Sequence, residues 1–217
     1  MELHKIIKSM ARDADENWGK LYYHVMPRII NERGFTTGAE IGVAYGGHAD
    51  AMLSNCVGLK KLYCVDPYTP DYNSTDGYAM PESLLTDNGG VDALQAGKKF
   101  GEAEYEELYL HALHRLKRFD YRQELIRQSS HEAWATVLFD ELDPGEKLDF
   151  VFIDGRHTFG DVMADIELWR QCVRPGGIIA GHDYKHVSYP GVTRAVNASF
   201  PVINTEDGFV WWANNGK

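Results

Sequence analysis

Two carboxylates and two histidines stand at the ends of two neighbouring apolar runs in the stretch DFVFIDGRHTFGDVMADIELWRQCVRPGGIIAGHDY, from Asp149 to Tyr184. Phe150 to Ile153 ends in Asp154, with Arg156 and His157 just beyond, and Ile178 to Gly181 ends in His182 and Asp183. Carboxylate oxygens and imidazole nitrogens are ligands for divalent cations, and a histidine near neutral pH can also accept a proton. If the two runs are adjacent parallel strands, their carboxyl ends bring Asp154, His157, His182 and Asp183 to one rim of a sheet, where open α/β sheets bind ligands. The four residues are therefore a candidate reaction centre. The plainer reading has the acids capping helices and the histidines pairing with them.

The elements that would hold this rim are legible around it. Phe150 to Ile153 is apolar and short enough for a buried parallel strand. Val162, Ile166, Trp169 and Val173 have helical spacing and mark the core face of a following helix, which Arg174-Pro175-Gly176-Gly177 ends before the next strand. Upstream, Gly38 to Val43 reads as a strand containing Glu40, followed by a turn with Gly42, Gly46 and Gly47 and a helix from about Ala49 to Asn55. Glycine permits tight turning and close approach of a ligand, and the first helix amides follow directly. The spacing is not GxGxxG. A carboxylate at Glu40 suits a cationic or hydroxyl-bearing ligand better than a pyrophosphate, and a plain tight turn is the alternative. Leu59 to Val65 is the next strand and ends in Asp66, about 20 residues past the turn, where an acid can bind a ribose diol. An Asp-Pro turn would account for the same residues.

Elsewhere, Leu3, Ile6, Ile7 and Met10 suggest one short amphipathic helix, and Trp18, Leu21, Tyr22, Val25 and Ile29 a second after an acidic break, with Pro27 kinking or restarting it. Residues 67–101 are rich in Pro, Gly, Asp, Asn, Ser and Tyr without periodicity, which suits a lid-like insertion. Asp71, Tyr72, Asn73 and Tyr78 within it are types that hold polyols, and equally types found in solvated loops. Tyr105, Leu108, Tyr109, Ala112, Leu113 and Leu116 form a helical stripe that leaves His111 and His114 off it. Tyr121 to Gln128 reads as a strand, with Ser130 as N-cap of the helix after it. In a nucleotide-binding sheet this rim faces an adenine. Val192 to Ser199 reads as a short helix, and Pro201 to Ala213 as a terminal hairpin around Glu206-Asp207-Gly208.

The chain of 217 residues fits one α/β domain, with 44% hydrophobic and 25% charged residues. A net charge of -10 argues against a nucleic-acid partner, since phosphates call for a basic face. Cys56, Cys64 and Cys172 lack finger or CxxC spacing and suit reduced thiols. The charged N-terminus has no signal-peptide core, and no apolar run approaches the roughly 20 residues that span a bilayer. The expectation is a soluble, intracellular, cytoplasmic protein without a membrane partner. Its oligomeric state, including a homo-oligomer, stays open.

Alternating strands and helices, the Gly-rich first turn, the acid ending the second strand and the closing hairpin indicate a doubly wound, Rossmann-like, mostly parallel α/β sheet with a C-terminal antiparallel hairpin. EIGVAYGG, VDPY, RPGG and above all IDGRHTFGDVMADIELWRQCVRPGGIIAGHDY resemble class I S-adenosylmethionine-dependent methyltransferases, in the branch of small, often metal-dependent O-methyltransferases that act on macrolide sugars and rhamnose. The helices of residues 1–37 read as an N-terminal cap on the sheet, part of a substrate lid or plain packing, and the resemblance covers a methyltransferase domain over 38–217. It implies that Glu40, Gly42 and Gly46 line the methionine end of S-adenosylmethionine, that Asp66 holds its ribose, and that Ser130 and His131 flank its adenine. Asp154 would serve cofactor, catalysis and metal together, with Asp183 and His182 as further metal ligands and His157 as general base. Where the branch usually has a carboxylate this chain has His182, which either shifts the ion from Mg²⁺ toward Mn²⁺ or another borderline metal or places His182 outside the ligand set.

The chemistry accounts for these residue types. A sugar hydroxyl is a poor nucleophile until deprotonated; a divalent ion lowers its pKa, and a histidine removes the proton near pH 7. The expected function is thus methylation of a sugar hydroxyl on a small molecule or glycan. The alternatives are a non-haem iron hydroxylase on the same fold, with His157 or His182 and two carboxylates holding the iron as two histidines and one carboxylate do in known oxygenases, and a non-catalytic glycan-binding module.

Overall fold

The computed structural model describes residues 3–70, 101–206 and 209–216. Among them the strands form one seven-stranded sheet in the order β3-β2-β1-β4-β5-β7-β6. These are β1 (Thr37–Ile41), β2 (Lys61–Val65), β3 (Gln123–Ile126), β4 (Leu148–Ile153), β5 (Val173–Gly181), β6 (Asn204–Glu206) and β7 (Val210–Asn214). The first five pair in parallel, and β7 runs antiparallel to both β5 and β6. The doubly wound sheet with its closing hairpin is as the alternation of elements indicated. Strand order reverses direction between β1 and β4, which makes their carboxyl ends the topological switch point.

Alternation along each strand divides the core into two layers. Ala39, Tyr63, Val151 and Ile179 lie in register on one face, beneath α5 (Ser130–Thr136), α6 (Phe159–Trp169) and α7 (Pro190–Ser199). Leu62, Cys64, Phe150, Phe152 and Ala180 face the other way, toward α2 (Val25–Arg33) and α3 (Gly47–Asn55). Glu40 shares that second face, which makes it a carboxylate inside an apolar layer. The three cysteines are buried thiols. No helix among the described residues is long and apolar enough to cross a membrane.

Several local expectations are changed or narrowed. The acidic stretch near the N-terminus does not break the helix: α1 runs unbroken from Leu3 to Leu21. Asp15 faces α4 (Glu102–Leu116) and takes two bonds from the Arg115 guanidinium at 2.9 and 2.6 Å, so its charge is paired across the two helices. Pro27 restarts the chain rather than kinking it, sitting in the first turn of α2, where a missing amide costs nothing. Pro175-Gly176-Gly177 does not precede the fifth strand but lies inside it, and Val173 belongs to β5 rather than to the helix. The register shifts there, Leu148 facing Val173 but Phe150 facing Ile178. A side chain at Gly177 would sit 2.4 Å from the Asp149 carbonyl oxygen, and Asn215 holds the irregular segment through bonds with Gly176 and Gly177. The third strand is shorter than expected because residues 117–122 form a 3-10 turn. Asp71, Tyr72, Asn73 and Tyr78 lie outside the described residues.

Candidate active site

The carboxyl ends of β4 and β5 bring the four polar residues together. His157 Nε2 lies 3.0 Å from Asp183 Oδ2 and 3.8 Å from Asp154 Oδ1. His182 Nδ1 lies 3.3 Å from Asp183 Oδ1 and 3.8 Å from Asp154 Oδ1. Asp183 has φ 62, a left-handed conformation that Asp tolerates better than most residues. Burial alone would raise its pKa, but hydrogen bonds from His157 and His182, and their charge, hold it well below the usual carboxylate range.

Ligand atoms of Asp154, His182 and Asp183 all lie within 4.8 Å of one another. Donors coordinated side by side at roughly 2.1 Å from an ion are about 3 Å apart, so small rotations would close this set around one. Two carboxylates and an imidazole fit a borderline ion such as Mn²⁺ better than the all-oxygen shell Mg²⁺ prefers.

Aromatic rings that the sequence did not single out for the site frame it. Tyr22 stacks on His182 with ring centroids 4.1 Å apart, and its hydroxyl donates to Asp154 Oδ2 at 3.4 Å. Tyr189 stacks on His157 at 4.2 Å. In sequence Tyr22 is one more member of an apolar helical stripe, and nothing near Tyr189 marks it; both become recognisable only when the fold sets them against His182 and His157.

The Gly-rich turn lies against the same rim. Gly42 has φ 89, and a Cβ there would fall 2.0 Å from the Asp154 carbonyl oxygen. Only glycine lets the end of β1 pass so close to the end of β4. Gly46, at φ 75, is the N-cap of α3. Asp66 ends β2 and turns back on this loop, its Oδ2 accepting from the amides of Val43 and Ala44 at 3.1 and 3.0 Å and its Oδ1 from Tyr68 at 2.9 Å. Burial pushes its pKa up against the pull of those amides.

Glu40 accepts a 2.7 Å bond with His48 Nδ1 through Oε1. Its Oε2 is buried and has no hydrogen-bond partner among the described residues, and burial raises its pKa despite His48. An unmatched buried carboxylate oxygen beside a glycine turn is what a cationic or hydroxyl-bearing ligand group would satisfy. His48 follows Gly46-Gly47 directly, so its position beside the motif was the one signal that could have found it.

On the other flank, the N-cap of α5 is Ser129, not Ser130. Ser129 Oγ accepts from the Glu132 amide, and the Glu132 carboxylate accepts in return from Ser129. Ser130 is the next residue, and its hydroxyl turns inward: it accepts from Trp169 Nε1 at 2.9 Å and donates to Asp165 at 2.5 Å. It can therefore border a ligand only through its backbone. His131 is exposed, with its ring edge-on to Trp134.

Residues 39–184 match the family model of a methyltransferase domain, a span that includes β1, the glycine turn and both strand ends of the rim. The chain belongs to this methyltransferase family. Among solved structures, similar folds include an O-methyltransferase from Bacillus cereus in complex with SAH, at TM-score 0.56 and 14% identity, covering 99% of this chain and 91% of that one. CalS11, described as a TDP-rhamnose 3'-O-methyltransferase of calicheamicin biosynthesis, aligns at TM-score 0.55 and 15% identity over 100% of this chain and 94% of its own. The O-methyltransferase NovP aligns at 0.54 and 15% over 98% and 80%. A curated relative in sequence is the uncharacterized protein R132 of Acanthamoeba polyphaga mimivirus, 27% identical over 180 residues. The match takes in 82% of this methyltransferase, which spans 66% of the viral protein. Family membership favours S-adenosylmethionine-dependent methyl transfer over the iron hydroxylase and the non-catalytic module.

Proposed function

We propose that this methyltransferase moves the methyl group of S-adenosylmethionine to a hydroxyl of a sugar, of rhamnose type on a small molecule or glycan, with the help of a divalent ion. The observation that carries the reading is the rim itself: His157 Nε2 and the donor atoms of Asp154, His182 and Asp183 converge beside the glycine turn. CalS11, a structural neighbour, bears the name of a rhamnose O-methyltransferase, which supports the acceptor class.

S-adenosylmethionine, when bound, supplies an electrophilic methyl, and a divalent ion supplies charge that lowers the pKa of an acceptor hydroxyl. Asp154, His182 and Asp183 would hold the ion, and His157 would take the hydroxyl proton at the ring nitrogen not turned to Asp183, whose carboxylate, 3.0 Å from Nε2, would stabilise the imidazolium. Glu40 Oε2, Gly42 and Gly46 would border the methionine end. Asp66 Oδ1 accepts one bond and retains a lone pair for a ribose hydroxyl. The start of α5, through the Ser130 backbone and His131, would border the adenine.

Incubation with methyl-labelled S-adenosylmethionine, Mn²⁺ and a panel of rhamnosides, other glycosides and catechols tests the reading. Label in a rhamnoside methyl ether is the expected result. Label only in catechols would overturn the acceptor class, and undiminished transfer in the presence of a chelator would remove the metal.

A further inference from the structure

The family match begins at residue 39, yet a residue well before it touches two members of the rim. Tyr22 lies in the turn between α1 and α2, almost fully buried. The turn is fixed at both ends, the Tyr22 amide bonding the Trp18 carbonyl at 3.1 Å and the Tyr22 carbonyl accepting from Val25 at 3.0 Å. One ring therefore does two things at once. Its face covers the His182 imidazole, with an interplanar angle of 26°, and its hydroxyl reaches the Asp154 carboxylate. Trp18 and Phe209 meet the same imidazole edge-on at 6.4 and 6.5 Å, which leaves the His182 ring little freedom to tilt.

We infer that Tyr22 is a positioning residue of the metal-binding cluster: the segment ahead of the matched domain supplies the clamp that fixes the His182 ring and the Asp154 carboxylate relative to each other. The inference rests on the proposed metal reading of Asp154, His182 and Asp183. Its physical basis is that groups which orient metal ligands from behind set ligand geometry, and their loss costs metal affinity even though they never touch the ion. Stacking fixes the plane of the imidazole, and the hydroxyl, donating along the carboxylate's second oxygen, fixes its rotation.

The test measures Mn²⁺ affinity from the paramagnetic resonance signal of the free ion, and SAH affinity by calorimetry, on the wild-type protein, Tyr22→Phe and Tyr22→Leu. Loss of ring and hydroxyl in Tyr22→Leu should weaken Mn²⁺ binding about tenfold. Tyr22→Phe, which keeps the stack and loses the hydroxyl, should weaken it by less, about threefold. SAH affinity should hold in both, which a general collapse of the site would not allow. Mn²⁺ binding by Tyr22→Leu equal to wild type overturns the inference. If that variant does not fold, wild-type Mn²⁺ affinity in Tyr22→Phe overturns it instead. Absence of Mn²⁺ binding by the wild-type protein is a different failure: it removes the metal reading, and the inference with it.

Discussion

His157 Nε2 lies 3.0 Å from Asp183 Oδ2, so the residue proposed as base leans on a carboxylate that comes from the next strand of the sheet. A carboxylate in this position stabilises an imidazolium once it has formed. Asp183→Asn keeps the shape and removes the charge. It should lower methyl transfer by about 10²-fold or more, within the range of general base catalysis, while SAH affinity stays close to wild type. Steady-state rates with calorimetry check it, and full activity in the variant would detach Asp183 from the chemistry.

Gly42 is the position where the backbone leaves no choice. With φ 89 and the Asp154 carbonyl oxygen 2.0 Å from a Cβ built there, Gly42→Ala must force β1 and β4 apart at their carboxyl ends. A loss of about 2 to 4 kcal/mol in urea unfolding is expected from strain and overpacking, together with weakened SAH binding. A change under about 0.5 kcal/mol would mean that the two strand ends separate freely.

At the opposite end of β4, Asp149 ties three elements together. It accepts from the amides of Thr36 and Thr37 at 2.6 and 3.1 Å and from Arg174 Nε at 2.7 Å. Burial would raise its pKa, but these donors outweigh it and hold it below the usual value. A lowered folded pKa stabilises above the unfolded value and is lost as pH falls through the folded one. Asp149→Ala should cost about 2 to 3 kcal/mol at pH 7, and the gap to wild type should close on acidification below about pH 4. A gap independent of pH would contradict the assignment.

Asp165 gives the reverse slope. Desolvation beneath α5 pushes its pKa up to about 7, against the hydrogen bond from Ser130. An acid raised in the folded state contributes its full stability below its unfolded pKa and loses it as pH climbs to the folded value. Between about pH 4 and pH 7 the wild-type protein should therefore lose stability that Asp165→Asn does not lose. Parallel unfolding curves for the two proteins across that window would show that Asp165 is charged throughout.

The sheet was legible because each buried parallel strand is a short apolar run ended by a polar residue, as in Phe150 to Asp154 and Ile178 to His182. Carboxyl ends collect at one rim, so Asp154, His157, His182 and Asp183 could be grouped without coordinates. The Pro175-Gly176-Gly177 segment misled because proline and glycine mark a break in local pattern, whereas here a bulge is held by Asn215 from the far end of the chain. Ser130 misled for a similar reason: its hydroxyl answers Trp169 and Asp165 on another helix, which no local spacing encodes. Tyr22 was hidden because a tyrosine in an apolar stripe serves a core and a site through the same ring.

The proposed role of His157 in taking the proton from an acceptor hydroxyl is tested most directly by comparing the wild-type protein with His157→Ala in transfer of labelled methyl to a rhamnoside under saturating S-adenosylmethionine and Mn²⁺. Transfer should fall by about 10² to 10⁴-fold while SAH still binds. Transfer by His157→Ala at the wild-type rate would contradict it.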